Sequence, residues 1–245
     1  MFVVEEKRMV TKKLNSLYVS APVNALVTGI LREDKTLKQV LEHGNFGLGT
    51  FNDLDGEMVL LGGVFYHLHA NGTTHIADVD MKTPYACVTH FKPEVSLICN
   101  DELTFDRLKI KIDEMVLSKN LIYAIRVAGT FKSIKARSVP KQEAYRPLVH
   151  VAGDQKEFLF EDIKGTLVGF YTPDFMGSVT VPGYHLHFIS HDRENGGHLL
   201  GCVSGDVEIS VQSIDQLMLD LPHSVEYLTA SLNNDVRKDL DKAEH

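Results

Sequence analysis

The sequence predicts a strand-dominated α+β protein, of the α/β class in the broad sense, with few helices. Segments rich in β-branched and aromatic residues recur along the chain, and residues 121–131 are a clear example. Turns that contain glycine separate such segments. Apolar residues at helical spacing are confined to short stretches, and no tandem repeat indicates a solenoid or a propeller. We therefore expect mixed or antiparallel sheets to form most of the fold.

Helices are predicted at three places. Residues 36–41 carry apolar side chains at helical spacing. Residues 105–118 are predicted to form a longer helix, because one apolar stripe follows Thr104, a good capping residue. Ser213 and Gln216 match a capping box, which predicts a short helix after them.

The predicted strands fall into two groups. The first group is a meander in residues 45–63, with a turn at Asp55 and Gly56 and a second strand that begins near Glu57. Further along the chain, extended runs are predicted in residues 121–131, 148–151, 165–171, 184–190 and 198–203.

The chain has no low-complexity linker, so a division into domains follows only from the change of pattern near residue 149. This change predicts a mixed β-sheet domain with helices in residues 1–148 and a β domain in residues 149–234. Residues 235–245 are then a charged tail.

The composition argues against several classes of partner. The chain of 245 residues has a formal net charge of −8, and its 25 lysines and arginines are scattered rather than clustered. Such a surface predicts no nucleic-acid partner and no attraction to an anionic membrane. The amino end is acidic where a secretory signal needs basic residues, and no apolar run of membrane-spanning length follows. We therefore expect a cytoplasmic protein.

The three cysteines support the same compartment. Cys87, Cys99 and Cys202 are odd in number and form no C-x-x-C pair, which suits a reducing environment. We expect all three to be buried thiols, although Cys202 lies near enough in sequence to His198 to approach a metal site.

A cluster of histidines indicates a metal site. His185 and His187 are separated by one leucine in a segment of strand character, so their side chains point to one face, about 6.5 Å apart along the strand. A third ligand is available either from His191 or from His198, which follows a glycine-containing turn, and the spacing alone does not choose between them. Three neutral imidazoles suit Zn²⁺ with one open position, as in catalytic zinc sites, although other divalent metals also accept imidazole.

A second segment competes with this one. Tyr66-His-Leu-His69 repeats the four residues Tyr184-His-Leu-His187. It has no equivalent third histidine directly across a turn, and His75 is the nearest candidate.

Longer motifs carry a resemblance to a known family. They are Gly47-Leu-Gly-Thr-Phe-Asn-Asp-Leu-Asp-Gly-Glu-Met and Gly183-Tyr-His-Leu-His-Phe-Ile-Ser-His-Asp-Arg-Glu-Asn-Gly-Gly-His. Shorter ones are Asn24-Ala-Leu-Val-Thr-Gly, Thr83-Pro-Tyr-Ala and Phe131-Lys-Ser-Ile-Lys-Ala-Arg-Ser-Val-Pro-Lys-Gln. With these motifs the chain resembles alpha-acetolactate decarboxylase over nearly its whole length.

The resemblance implies a fold, a metal and an assembly. It implies two β-rich domains with a zinc site between them, and a homodimer. The implied zinc ligands are His185, His187 and His198, so the resemblance favours His198 over His191 as the third ligand. No organic cofactor is expected, because neither G-x-G-x-x-G nor G-x-x-x-x-G-K-[ST] occurs in a suitable setting.

The resemblance also implies the other site residues. Thr50 and Glu57 would lie beside the metal, whereas the residues alone favour an exposed acid at Glu57. Arg137 matches an R-S-x-P-x-Q pattern, whereas composition alone would make it part of a solvated basic face. Glu244 is the best match to a glutamate on a carboxyl-terminal tail that folds back over the site, although a charged end is frayed by default.

The implied reaction is the decarboxylation of 2-acetolactate to acetoin and CO₂, a step of acetoin biosynthesis and butanediol fermentation. The hypothesis is a zinc-chelated enediolate, with Arg137 on the substrate carboxylate or over the enediolate, and with Glu57 and Glu244 as the proton relay. A metal-dependent hydrolase with a zinc-bound water, and Glu57 as base, is the alternative enzyme. The non-enzymatic alternative is a β-rich module that uses the histidines only to hold a metal or an anion.

Overall fold

The structure is a computed structural model that describes residues 14–143, 155–233 and 240. Strands dominate the described residues. The strands are β1 (Ser16–Val19), β2 (Phe46–Thr50), β3 (Glu57–Leu61), β4 (Val64–Leu68), β5 (Thr74–Ile76), β6 (Ala86–Thr89), β7 (Val95–Cys99), β8 (Ile122–Ser138), β9 (Lys156–Thr172), β10 (Gly183–Ser190), β11 (Gly196–Ile214) and β12 (Gln216–Leu219). The α-helices are α1 (Val23–Val27), α2 (Leu37–Leu41), α3 (Phe105–Asp113) and α4 (Val225–Thr229).

The first sheet is mixed. Its strand order is β12-β1-β6-β2-β3-β4-β5, in which β12 runs parallel to β1 and the other neighbours are antiparallel. The predicted meander is present as β2 and β3, with the following turn at Gly62 and Gly63. Both glycines have positive φ, 63° and 83°, which explains why the turn uses this residue type.

The second sheet is antiparallel and partly closed. Its strand order is β10-β9-β8-β11-β7. β10 also pairs with β11 over a short stretch, so the four strands β8, β9, β10 and β11 form a closed ring. The closure brings the histidine strand β10 directly beside β11.

The helices agree with the predictions in part. α2 is confirmed, and its N-cap Thr36 forms the reciprocal capping box with Gln39. α3 begins at Phe105 as predicted, but the predicted end at residue 118 is wrong. The backbone N–H and carbonyl of Ser118 bond to the hydroxyl of Tyr123 instead, which turns the chain into β8.

The predicted helix after the Ser213–Gln216 pattern is also wrong. The Ser213 hydroxyl donates to Glu94 rather than capping a helix. Gln216 begins β12, which pairs in parallel with β1. A short helix occurs later, as α4, where the Ser224 side chain accepts from the backbone N–H of Tyr227.

The two sheets share one core. A single cluster of buried side chains includes Leu48 and Val59 of the first sheet and Val168, Phe170 and Ile189 of the second. Glycines allow the close approach, since a Cβ on Gly169 would lie 2.9 Å from the Leu48 side chain. Residues that point inward from both sheets therefore meet at this interface.

Sheet membership does not follow chain order. β7 and β8 precede residue 149 yet belong to the second sheet, and β12 follows it yet belongs to the first. The extended run at 148–151 and the boundary at residue 149 lie outside the described residues. The division into residues 1–148, 149–234 and 235–245 stays a prediction.

Candidate active site

Three buried histidines converge where β10 meets β11. His185 and His187 lie on β10, and His198 on β11 is the direct cross-strand partner of His187. The three imidazole centroids are 5.1 to 5.3 Å apart. One nitrogen from each ring lies within 4.8 Å of the others. The strand pair thus presents three ring nitrogens to one point.

The hairpin register separates the two candidates for the third position. Ile189 pairs with Gly196, and the Ser190 N–H donates to the Asn195 carbonyl, so the turn is residues 191–194. His191 is therefore exposed in the turn. His198 lies opposite His187 because the turn is centred between Asp192 and Arg193.

The tautomer of His187 is fixed by the first sheet. Its Nδ1 lies 2.9 Å from the carbonyl oxygen of Met58, so Nδ1 carries the proton and donates. Nε2 is then left with the lone pair that a metal needs. A backbone carbonyl that orients a histidine in this way is the usual outer partner of a metal ligand.

Arg137 lies next to the histidines in the sheet. It is the cross-strand partner of His198 on β8, and such partners point to the same face. Its side chain is buried, whereas the nearby side chains of Lys132 and Lys135 are 55% and 53% exposed. The basic segment is therefore not a uniform solvated face.

The first sheet contributes Thr50 and Glu57, which are cross-strand partners on β2 and β3. Both are buried, and Glu57 Oε2 lies 3.6 Å from His187 Nε2. The Thr50 hydroxyl donates to the Gly56 carbonyl, which ties the turn before Glu57 to β2. The alternative that Glu57 is an exposed acid is therefore wrong.

One cavity joins these side chains. Thr50, Glu57, Arg137, His185, His187 and His198 all line it. The rest of its wall is mostly apolar and comes from Val23, Leu26, Leu54, Tyr85, Val139 and Val181. Sequence reasoning did not assign these wall residues, although several lie in or beside the quoted motifs. The site combines metal-type ligands, a cation and a carboxylate in a small apolar pocket.

Glu244 lies outside the described residues. Leu240 is the described residue nearest to Glu244 in the sequence. Leu240 is buried in the same cluster as Leu26, Leu54, Val139 and Val181 of the cavity wall.

Comparison with known proteins places the chain in a family. A sequence profile of alpha-acetolactate decarboxylase matches residues 17–234. The chain belongs to the alpha-acetolactate decarboxylase family. It is similar to the alpha-acetolactate decarboxylase of Brevibacillus brevis, with 38% identity over 231 residues, which are 94% of this chain and 81% of that protein. The enzyme of the same name from Raoultella terrigena is 39% identical over 220 residues, 89% of this chain and 85% of that protein.

A solved structure shows the same architecture. The crystal structure of alpha-acetolactate decarboxylase from Bacillus subtilis strain 168 matches with a TM-score of 0.91 at 34% identity, over 94% of this chain and 99% of that one. The predicted strand-dominated fold class is therefore confirmed. Membership in a family of carboxy-lyases confirms the predicted enzyme class. Among the described residues, no helix has the length and apolar character to cross a membrane.

Proposed function

We propose that this protein decarboxylates 2-acetolactate to acetoin and CO₂ with the help of a divalent metal, preferably Zn²⁺, held by His185, His187 and His198. The observation that carries the proposal is the convergence of three buried imidazoles, Arg137 and Glu57 on one cavity, in a chain of the acetolactate decarboxylase family.

The donor set fits such a metal. Three imidazoles at mutual distances suited to one ion leave a coordination position for substrate, as catalytic zinc sites do. The hydrogen bond from His187 to Met58 supplies the orientation that a ligand needs. When bound, the metal would act as a Lewis acid that makes the ketone of the substrate a better electron sink.

Arg137 is the cationic partner of the substrate carboxylate in this proposal. Acetolactate carries a carboxylate, a tertiary hydroxyl and a ketone on adjacent carbons. A guanidinium offers a planar pair of donors that matches a carboxylate, and the buried position of Arg137 strengthens that attraction. In the proposal Arg137 holds the carboxylate until CO₂ leaves, and the electron pair of the broken bond then passes into the ketone to give an enediolate.

Glu57 is the proton carrier in this proposal. The enediolate becomes acetoin when a proton reaches the carbon that lost CO₂. Glu57 is buried at the cavity and is kept in place by the β2–β3 pairing. Thr50 fixes the turn before Glu57, and the apolar wall limits the entry of water. Glu244 is the proposed second member of the relay, with the tail 235–245 folding over the site, and the burial of Leu240 beside the cavity wall supports this.

We place the enzyme in the cytoplasm as a homodimer that serves acetoin formation and butanediol fermentation. Three free, buried thiols are consistent with a reducing compartment. Light scattering after size-exclusion chromatography measures the assembly, and a monomeric mass would remove the dimer from the proposal.

The decisive experiment is an assay of acetoin and CO₂ with racemic 2-acetolactate. Chelator-treated enzyme should be inactive, and activity should return with Zn²⁺ or another divalent metal. His198→Ala should lose both bound metal and CO₂ release, whereas the matched variant His191→Ala, at the exposed turn histidine, should keep both. A fully active, metal-loaded His198→Ala variant would refute the ligand set. Metal-dependent hydrolysis of an ester or amide without CO₂ from acetolactate would favour the hydrolase.

A further inference from the structure

A second group of metal-type ligands lies on the first sheet. Asp55, His67 and His69 each offer one ligand atom, and these atoms lie within 4.8 Å of one another. His75 is next to them, as the cross-strand partner of His67 on β5, with its ring centroid 5.0 Å from that of His69. Three imidazoles and one carboxylate are thus collected in one place.

This group is distinct from the candidate active site. On β4, Leu68 points into the core that the two sheets share. His67 precedes it and so points to the opposite face, where its ring packs against Phe51. Phe51 belongs to a separate core cluster with Met58, the cross-strand partner of His67. The two groups therefore lie on opposite faces of the first sheet.

The ring of His67 is held beside Asp55. Its Nε2 bonds to the backbone carbonyl of Asp55 and lies 3.9 Å from the carboxylate Oδ1, and in the tautomer that donates from Nε2 the other ring nitrogen keeps a lone pair. Burial lowers the pKa of His67 to about 4, and burial together with His75 lowers the pKa of His69.

The turn that supplies Asp55 is conformationally demanding. Asp53, Leu54 and Gly56 have φ values of 66°, 51° and 76°, and left-handed backbone at residues other than glycine costs free energy. The same turn leads directly into Glu57 of the active site. An ion held between Asp55 and the β4 histidines would fasten this turn to the sheet.

We propose that Asp55, His67 and His69, with His75 at the rim, bind a second divalent ion of the borderline class, such as Zn²⁺, Co²⁺ or Ni²⁺, that stabilises the turn before Glu57. Mixed imidazole and carboxylate donors select ions of this class. The rings of His67 and His69 are 3.8 Å apart, closer than the 5.1 Å between His185 and His187, so His69 rotates outward on binding. This movement is open to it, because His69 is only half-buried and His75 beyond it is exposed.

The test is a titration of the chelator-treated, full-length protein with Co²⁺, followed by visible absorption and by metal analysis. The wild type should bind two equivalents. His198→Asn and His69→Asn should each bind one, the double variant none, and the control His90→Asn, at an exposed histidine outside both groups, two. Asp55→Asn is a second, shape-preserving variant that should weaken the second equivalent at least tenfold.

Thermal unfolding supplies an independent readout. In His198→Asn protein, added Co²⁺ should raise Tm, and the rise should vanish when His69→Asn is added. One equivalent in the wild type, unchanged by His69→Asn, would overturn the second site. Failure of the second site appears as binding that His69→Asn does not change, whereas failure of the first site appears as binding that His198→Asn does not change, so the two proposals fail separately.

Discussion

At the scale of residues, one row of cross-strand partners concentrates the chemistry. Arg137, His198 and His187 are aligned across β8, β11 and β10. Partners in a row of this kind are separated by about 5 Å, which is the spacing that lets their side chains act on one small molecule. The closure of the second sheet is what aligns all three, since β10 pairs with β11 only at this end.

Arg137→Lys tests the row directly. Lysine keeps the charge but loses the planar pair of donors, so we expect acetoin formation to fall about 100-fold or more, equivalent to roughly 3 kcal/mol of lost transition-state stabilisation. Bound metal should not change, because Arg137 is not among the imidazole ligands. Turnover and metal content are measured on the same preparation. Lys135→Met on the same strand, at a half-exposed side chain, is the control, and unchanged turnover in Arg137→Lys would remove the arginine from the mechanism.

The three cysteines are expected to react slowly in the folded protein. Burial raises the pKa of the Cys87 and Cys202 thiols to about 12, so almost no thiolate is present near pH 8. Cys99 is also free and buried. In the folded protein we expect a thiol reagent to react at least 100-fold more slowly than with free cysteine, and all three thiols to react once guanidinium unfolds the chain. Rapid reaction of one equivalent in the native state would contradict the burial.

Some of the site residues can be predicted from the sequence, and others cannot. The H-x-H pair was found from strand periodicity alone, because side-chain alternation is local. The choice between His191 and His198 depends on the position of the turn, which the hairpin hydrogen bonds fix at residues 191–194. Glu57 is buried by the second sheet, whose strand β10 lies more than 120 residues further along the chain. No pattern in the sequence around Glu57 could therefore predict its burial or its distance of 3.6 Å from His187.

At the scale of elements, the β10–β11 hairpin sets the site, and its glycines make the close approach possible. A Cβ on Gly197 would lie 2.6 Å from the carbonyl oxygen of Arg137, closer than real Cβ contacts allow. Gly201, on the same strand, would meet nothing within 4 Å. The small residue at 197 therefore serves the pairing of β11 with β8.

This contrast predicts different outcomes for two matched variants. Gly197→Ala must push β8 away from β11 beside His198, and we expect a loss of about 1–3 kcal/mol in the free energy of unfolding, with weaker metal retention and lower activity. Gly201→Ala should be neutral or slightly stabilising, because alanine restricts the unfolded chain. Urea unfolding, metal analysis and the acetoin assay compare the two. Equal stability of both variants would show that the strand pair tolerates the extra atom.

Element predictions failed where other hydrogen bonds replaced those of the expected helix. The apolar stripe of residues 105–118 is real, yet the helix ends at Asp113 because Tyr123 binds the backbone of Ser118. The capping pattern at Ser213 failed because Glu94 takes its hydroxyl and β1 pairs with the following strand. By contrast, the prediction of α2 from helical spacing is confirmed, and the capping box that stabilises this helix makes all of its hydrogen bonds within four residues.

At the scale of the whole molecule, the site exists only because two sheets meet. The second sheet supplies the imidazoles and Arg137, and the first supplies Thr50 and Glu57 together with the carbonyl that orients His187. The first sheet is not continuous in sequence, since β12 follows all five strands of the second sheet and returns to pair with β1 near the start of the described chain. Periodicity could predict strands, but it could not predict which strands share a sheet, because that pairing is decided by contacts between distant segments.

One described residue of the carboxyl-terminal tail lies in the core. Leu240 is 2% exposed and packs in the cluster that also forms the cavity wall. Leu240→Ala should therefore cost about 2–5 kcal/mol in the free energy of unfolding, as for other buried leucines. If the tail closes the site as proposed, the variant should also lower kcat/KM, because the docked segment that carries Glu244 is loosened. Leu228→Ala, at a leucine that is 65% exposed, is the matched control and should change neither quantity.

Glu244→Gln tests the role of the Glu244 carboxylate in proton transfer, separately from the docking of the tail. It keeps the size of the side chain and removes its proton-transfer ability, so we expect a lower kcat with unchanged unfolding free energy and unchanged bound metal. Steady-state kinetics and urea unfolding measure both effects. Full activity in Glu244→Gln, together with lower activity in Leu240→Ala, would mean that the tail acts by covering the cavity and that Glu57 alone carries the proton. Full activity in both variants would exclude the tail from the site, since neither its anchor nor its carboxylate would then affect the reaction.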